Sequence, residues 1–224
     1  MKYNKQLESD SANYHAFCYA VELAVKTQGE NVEDSKIYEY PELLDAIIND
    51  TKAMGFDMSS EPKTGSILRS LAASKPNGKF LEIGTGTGLS AAWILSGMDE
   101  RSILTSVDND LEAQNIAKKY LGHDNRIKFE CQDGGSWLKE NQSQEYDFIF
   151  ADAWPGKFSD LDLALETLSV GGIYIIDDLL PQENWPEGHA PKVPRLMQDL
   201  EGRKNLVSTR MNWASGLMLV VKLC

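Results

Sequence analysis

Two groups of residues in this 224-residue chain have types and spacings suited to chemistry. The first is Glu82-Ile83-Gly84-Thr85-Gly86-Thr87-Gly88, three alternating glycines between a short apolar run and a helix-like pattern. A turn of this kind leaves backbone bare against a ligand. Asp108 ends the next strand pattern, 24 positions past Gly84, where a carboxylate can accept hydrogen bonds from both ribose hydroxyls of an adenosine cofactor. The second group is Asp152, Asp177 and Asp178, which close two later strand patterns. If both strands open toward one end of a sheet, three carboxylates converge, raise one another's pKa and can leave one as a general base.

The glycine turn allows two cofactors. A dinucleotide fingerprint requires GxGxxG. From Gly84 the sixth position is Leu89, and from Gly86 it is Ala91, which only the looser form of the pattern tolerates. Asp108 suits NAD and S-adenosylmethionine equally. Glu82 separates them: an acid two residues before the glycines would repel a pyrophosphate but suits an amino group and a sulfonium. The alternatives are an NAD-dependent oxidoreductase and a non-catalytic S-adenosylmethionine-binding protein.

The elements that must position these residues alternate from Lys79 onward. KFLEIG, SILTSVD, IKFECQ, YDFIFAD and GIYIIDD read as strands, with GLSAAWILSG, DLEAQNIAKKYLG, a short segment from about Gly135 and LDLALETLS as helices between them. Before them SANYHAFCYAVELAVK, PELLDAIINDTKAMG and TGSILRSLAAS read as helices, the second with Pro41 in its first turn and Gly55 at its end. NLVSTRM and GLMLVVKL are joined by only NWAS, too short for a crossover, so they form an antiparallel hairpin. The expected fold is α/β: a doubly wound, mostly parallel seven-stranded sheet with a C-terminal antiparallel hairpin and N-terminal capping helices.

Composition narrows the function. Lys plus Arg number 22 and Asp plus Glu 34, a net charge of −12, and the basic residues are dispersed, so a nucleic-acid partner is not expected. The start MKYNKQLESD has no apolar signal core and no run reaches membrane-spanning length, which reads as a soluble cytoplasmic protein without a membrane partner. Cys18, Cys131 and Cys224 are scattered, as in a reducing compartment. Cys131, inside a strand pattern, reads as a small buried hydrophobe.

EIGTGTG, Asp108 and the terminal hairpin together resemble class I S-adenosylmethionine-dependent methyltransferases, from about residue 60 to the end. EPKTGSILRSLA, LEIGTGTGLSAAW, FIFADAW and IIDD resemble, more closely, the O-methyltransferase group of catechol and caffeoyl-CoA enzymes. The resemblance implies a Rossmann-like methyltransferase domain over residues 61–224 behind a helical cap over residues 1–60. The cap helices offer a surface for a homodimer. It implies that Glu82, Gly84, Thr85, Gly86 and Gly88 surround the methionine part of the cofactor and that Ser90 binds its carboxylate. Asp108, with Asn109 beside it, would hold the ribose, Asp133 and Gly134 would meet the adenine, and Trp154 would pack near it. Asp152, Asp177 and Asp178 fall on the family's positions for a divalent cation such as magnesium, with Asp178 where asparagine is usual. The family's catalytic lysine position is Pro155 here, and Lys157, two residues on, is the nearest substitute. Trp185 and His189, in the loop DDLLPQENWPEGH, can line an acceptor pocket. For His189 an exposed loop position is the plainer expectation. The implied reaction is methyl transfer to an oxygen of a small-molecule acceptor.

Overall fold

The computed structural model describes residue 37 and residues 39–224. The helix expected over residues 11–26, with Cys18, lies outside these residues. Residues 37–224 form one compact unit. Its strands are β1 (Lys79–Ile83), β2 (Ile103–Asp108), β3 (Ile127–Cys131), β4 (Tyr146–Ala151), β5 (Leu168–Ile176), β6 (Leu206–Met211) and β7 (Leu217–Lys222). Its helices are α1 (Leu44–Met54), α2 (Pro62–Ala73), α3 (Leu89–Gly97), α4 (Leu111–Leu121), α5 (Gly134–Glu140), α6 (Leu161–Glu166) and α7 (Val193–Gly202).

The strands form one sheet in the order β3-β2-β1-β4-β5-β7-β6. β1 to β5 run parallel to one another, and β7 runs antiparallel to both β5 and β6. The doubly wound sheet and terminal hairpin expected from the sequence are both present. The chain order reverses direction between β1 and β4, so the switch point lies there, at the carboxyl ends where such sheets bind ligands. Four acids stand at these ends: Asp108 closes β2, Asp133 follows β3, Asp152 follows β4 and Asp177 follows β5.

Side chains alternate between two apolar layers, as the two-residue period of a strand requires. On one face Phe80, Phe148, Phe150 and Ile175 pack with Leu44, Leu68 and Trp93 of α1, α2 and α3. On the other Leu81, Ile83, Ile149 and Tyr174 pack with Leu138, Ala164 and Leu196 of α5, α6 and α7. Each such side chain, fully buried, contributes roughly 1.5–3 kcal/mol.

Four details depart from the sequence reading. Helix α1 begins at Leu44, because Pro41 accepts the Leu44 N–H in a preceding turn; Gly55, left-handed, ends it as expected. Helix α6 stops at Glu166, and β5 already begins at Leu168. Cys131 is exposed rather than buried, because β3 is an edge strand whose far face is only partly covered. The sequence-derived order omits α7, although β6, parallel in sense to β5, needs a crossover. Its first turn holds Pro194, a residue that starts helices as readily as it breaks them.

Helices α2 and α3 meet through glycine. A Cβ at Gly65 would stand 2.1 Å from Cδ1 of the buried Trp93 ring. Helix propensity alone favours Gly65→Ala by about 1 kcal/mol. Packing is expected to win, with a net loss of roughly 1–3 kcal/mol. Urea unfolding measures this, and a variant as stable as the parent would contradict the packing.

Candidate active site

The loop after β1 is shaped by its glycines. Gly84 (φ 105°) and Gly86 (φ 49°) take left-handed backbone that side chains resist. A Cβ on Gly84 would stand 2.8 Å from the carbonyl oxygen of Asp152, and one on Gly86 would stand 3.2 Å from the Phe56 ring. The cradle is therefore closed to any larger residue on two sides. Asp108 fixes the loop: its Oδ2 accepts the Gly86 N–H at 2.7 Å and its Oδ1 accepts the Asp110 N–H at 2.8 Å. Asp133 caps α5 by accepting the Ser136 N–H at 2.8 Å, and that bond holds its carboxyl below the ordinary range.

Two members of the expected cofactor set play other parts. Gly88 does not line the cavity; a Cβ there would meet the Cβ of Ala117 at 2.7 Å, so its smallness lets α4 approach. Glu82 also lies off the cavity wall and is fully buried. Strand alternation sends it, with Phe80, toward the α3 layer. Its Oε2 accepts the Ser106 hydroxyl at 2.5 Å, Ser90 also bonds it, and its Oε1 has no partner. Burial pushes its pKa up to about 7. Glu82 thus anchors the floor beneath the loop.

The acids of β4 and β5 do converge. Asp152 accepts the Ser60 hydroxyl at 3.0 Å; burial, then the charges of Asp177 and Asp178, push its pKa well above the usual carboxylate range. Asp177 is bonded by the Ser215 hydroxyl and, at 2.7 Å, by the Asp178 N–H. Burial, then Asp178, push it up to about 6. Lys157, only 2% exposed, reaches the same place. Its Nζ donates to the Asp177 carbonyl at 3.1 Å and stands 3.7 Å from Oδ2 of Asp178. A turn sends it back: Gly156 is left-handed, and the Tyr174 hydroxyl donates to the Gly156 carbonyl at 2.5 Å.

His189 is buried, at 2% exposure, not exposed as the loop composition suggested. Trp185 stacks on it at 4.3 Å, the Phe158 ring meets it edge-on at 4.7 Å, and its Nε2 lies 3.0 Å from the Asp178 carbonyl. Burial holds its pKa below the ordinary value. Trp154 is 38% exposed, with Lys192 Nζ 4.9 Å above its ring.

Among the described residues no three His, Cys, Asp or Glu side chains are grouped to hold an ion. Asp152 and Asp177 already accept hydroxyls from Ser60 and Ser215, and an ammonium stands beside Asp178.

Both groups line one cavity of about 580 Å³. Asp108, Asn109 and Asp133 stand at its wall with the glycine loop, and Asp152, Lys157 and Asp178 line it too. Residues 56–61 and Gln182, Asn184, Trp185, Pro186 and His189 also line it, the two segments joined where Asn184 Nδ2 donates to the Asp57 carbonyl at 2.8 Å. Sequence reasoning missed Ser60, Tyr174 and Ser215. The last was within reach: Met218 of β7 pairs with Ile176 of β5, so the NWAS turn must lie beside Asp177.

Residues 81–179 match the family described as "Methyltransferase domain". A protein named "Putative O-methyltransferase" from Mycobacterium sp. (strain KMS) is 34% identical over 121 residues, 50% of this chain and 54% of that protein. One of the same name from Mycobacteroides abscessus is 30% identical over 140 residues, 59% and 65% of the two chains. The chain therefore spans little more than half the length of the curated relatives it matches. In fold it is similar to the O-methyltransferase from Bacillus cereus in complex with SAH, with a TM-score of 0.73, 17% identity and coverage of 83% and 93%. It is also similar to the O-methyltransferase TomG from Streptomyces achromogenes in complex with SAM, with a TM-score of 0.71, 18% identity and coverage of 85% and 94%.

The buried Glu82 has a stability consequence. Its folded pKa lies above its unfolded one, so between pH about 4.5 and about 7 the folded chain keeps a proton that the unfolded chain loses. Stability then falls as pH rises through that window, by about 3 kcal/mol from this group. Glu82→Gln, which keeps the shape without the charge, is expected to remove this fall and to gain on the parent as pH rises. Urea midpoints of both proteins at pH 5 and pH 8 measure the difference, and parallel changes would contradict it.

Proposed function

We propose that this chain is an S-adenosylmethionine-dependent methyltransferase acting on an oxygen of a small molecule. The observation that carries the reading is the single cavity shared by the bare loop of residues 84–87, Asp108 and the charged cluster Asp152, Asp177, Asp178 and Lys157. Gly84 lets the loop lie directly against the Asp152 backbone, which keeps the bare backbone of residues 84–87 on the cavity wall. Asp108 receives the ribose hydroxyls, Asn109 stands beside it, Asp133 and Gly134 meet the adenine, and the backbone of residues 84–87 surrounds the methionine part. Ser90, on the cavity wall and bonded to Glu82, faces the cofactor carboxylate from the first turn of α3.

When bound, the cofactor supplies an electrophilic methyl group. The protein must orient the acceptor, exclude water and take up a proton. Trp154, Trp185, Phe56 and Met58 offer apolar walls for an organic acceptor. Asp152, with its raised pKa, is the carboxylate placed to take the proton. No described helix is long and apolar enough to cross a membrane. Free, exposed Cys131 and Cys224 fit a cytoplasmic location.

Calorimetry on the purified chain tests the cofactor: S-adenosylmethionine and S-adenosylhomocysteine are expected to bind and NAD is not. Asp108→Ala is expected to weaken S-adenosylhomocysteine binding by about 1–3 kcal/mol, the loss for hydrogen bonds to a charged group. Unchanged affinity would remove Asp108 from the site, and binding of NAD alone would favour an oxidoreductase.

A further inference from the structure

We propose that Lys157 supplies the positive charge of the reacting centre, in the place where a divalent cation would otherwise be required. This rests on the methyltransferase reading above. Asp177 is buried, with Asp152 and the partly exposed Asp178 beside it; carboxylates so placed need a counter-charge, and the chain provides it from its own turn. Lys157 is 2% exposed, donates to the Asp177 carbonyl at 3.1 Å and stands 3.7 Å from Asp178 Oδ2. Its charge acts on both Asp152 and Asp177. A divalent ion entering the same cluster would meet this ammonium at close range, in surroundings where water screens little. Two of the three carboxylates are also engaged by Ser60 and Ser215.

The consequence for the acceptor is chemical. An ammonium is a point charge with three donors. One serves the Asp177 carbonyl and one faces Asp178, which leaves one for a single acceptor oxygen. A metal ion can gather two neighbouring oxygens; this lysine gathers one. The acceptor is accordingly a single ionisable hydroxyl and need not be a vicinal diol. In the transfer its O–H proton passes to a neighbouring carboxylate. The oxygen lone pair forms the new O–C bond, the S–C bond breaks, and its electron pair stays on sulfur. Lys157 keeps its proton throughout and faces the developing oxyanion.

Manganese binding tests this on the full chain. Titration with MnCl2, followed by the paramagnetic resonance of the free ion, is expected to show no site in the parent protein. Lys157→Met keeps the apolar stem and removes the charge. It is expected to gain one Mn2+ site, at least tenfold tighter than any in the parent, and adding Asp178→Asn is expected to abolish it. S-adenosylhomocysteine binding, measured on each protein, reports an intact fold. One Mn2+ bound per parent chain would overturn the proposal, as would a Lys157→Met protein that binds S-adenosylhomocysteine but no manganese. A parent protein that fails to bind S-adenosylhomocysteine would overturn the methyltransferase reading instead. Should Lys157→Met not fold, Lys157→Gln, which removes the charge and keeps a hydrogen-bond donor for the Asp177 carbonyl, is titrated in its place and read the same way.

Discussion

Gly84 and Asp152 meet backbone to backbone across the switch point of the sheet. A Cβ on Gly84 would stand 2.8 Å from the Asp152 carbonyl, and the Asp152 N–H in turn donates to the Ile83 carbonyl at 2.9 Å. This contact ties the loop after β1, which leaves backbone bare, to the end of β4, which delivers the first acid of the charged cluster. Were the two held further apart, the cavity would split into a cofactor groove and a separate acid pocket. Because they touch, the two groups share one cavity wall.

Around that contact the chain manages buried charge in two ways. Glu82 is placed under the loop by strand alternation, where Ser106 and Ser90 bond it and desolvation favours its neutral form. The cluster at β4 and β5 instead retains an ammonium, with Ser60 and Ser215 donating hydroxyls to the carboxylates. Both arrangements follow from the cost of taking charge out of water. They differ in outcome: Glu82 supports the floor, whereas the cluster faces the cavity.

Much of this was legible in the sequence, and the reasons are specific. Alternating strand and helix patterns carry the sheet, and the four-residue NWAS connector forces the hairpin. Asp108, Asp152 and Asp177 are visible because each closes a strand pattern, and parallel strands bring their carboxyl ends together. What stayed hidden depends on side-chain direction or on turns. Glu82 looked like a ligand residue by proximity, but its direction along β1 turns it away. Gly88 belongs to the glycine pattern yet serves helix packing against Ala117. Lys157 enters the cluster only because Gly156 and Tyr174 reverse the chain, and His189 is buried only because Trp185 and Phe158 enclose it. Helix α7 escaped because Pro194 in its first turn resembles a loop residue, although the sheet topology demanded a crossover.

The most direct measurement of the central claim, that the loop and the charged cluster form one methyl-transfer site, is a crystal structure of the chain with S-adenosylhomocysteine. The ribose is expected on Asp108 and the sulfur beside the bare backbone of residues 84–87, pointing into the space bounded by Asp152, Lys157 and Asp178. A ligand bound elsewhere, or one whose sulfur faces away from that cluster, would contradict it.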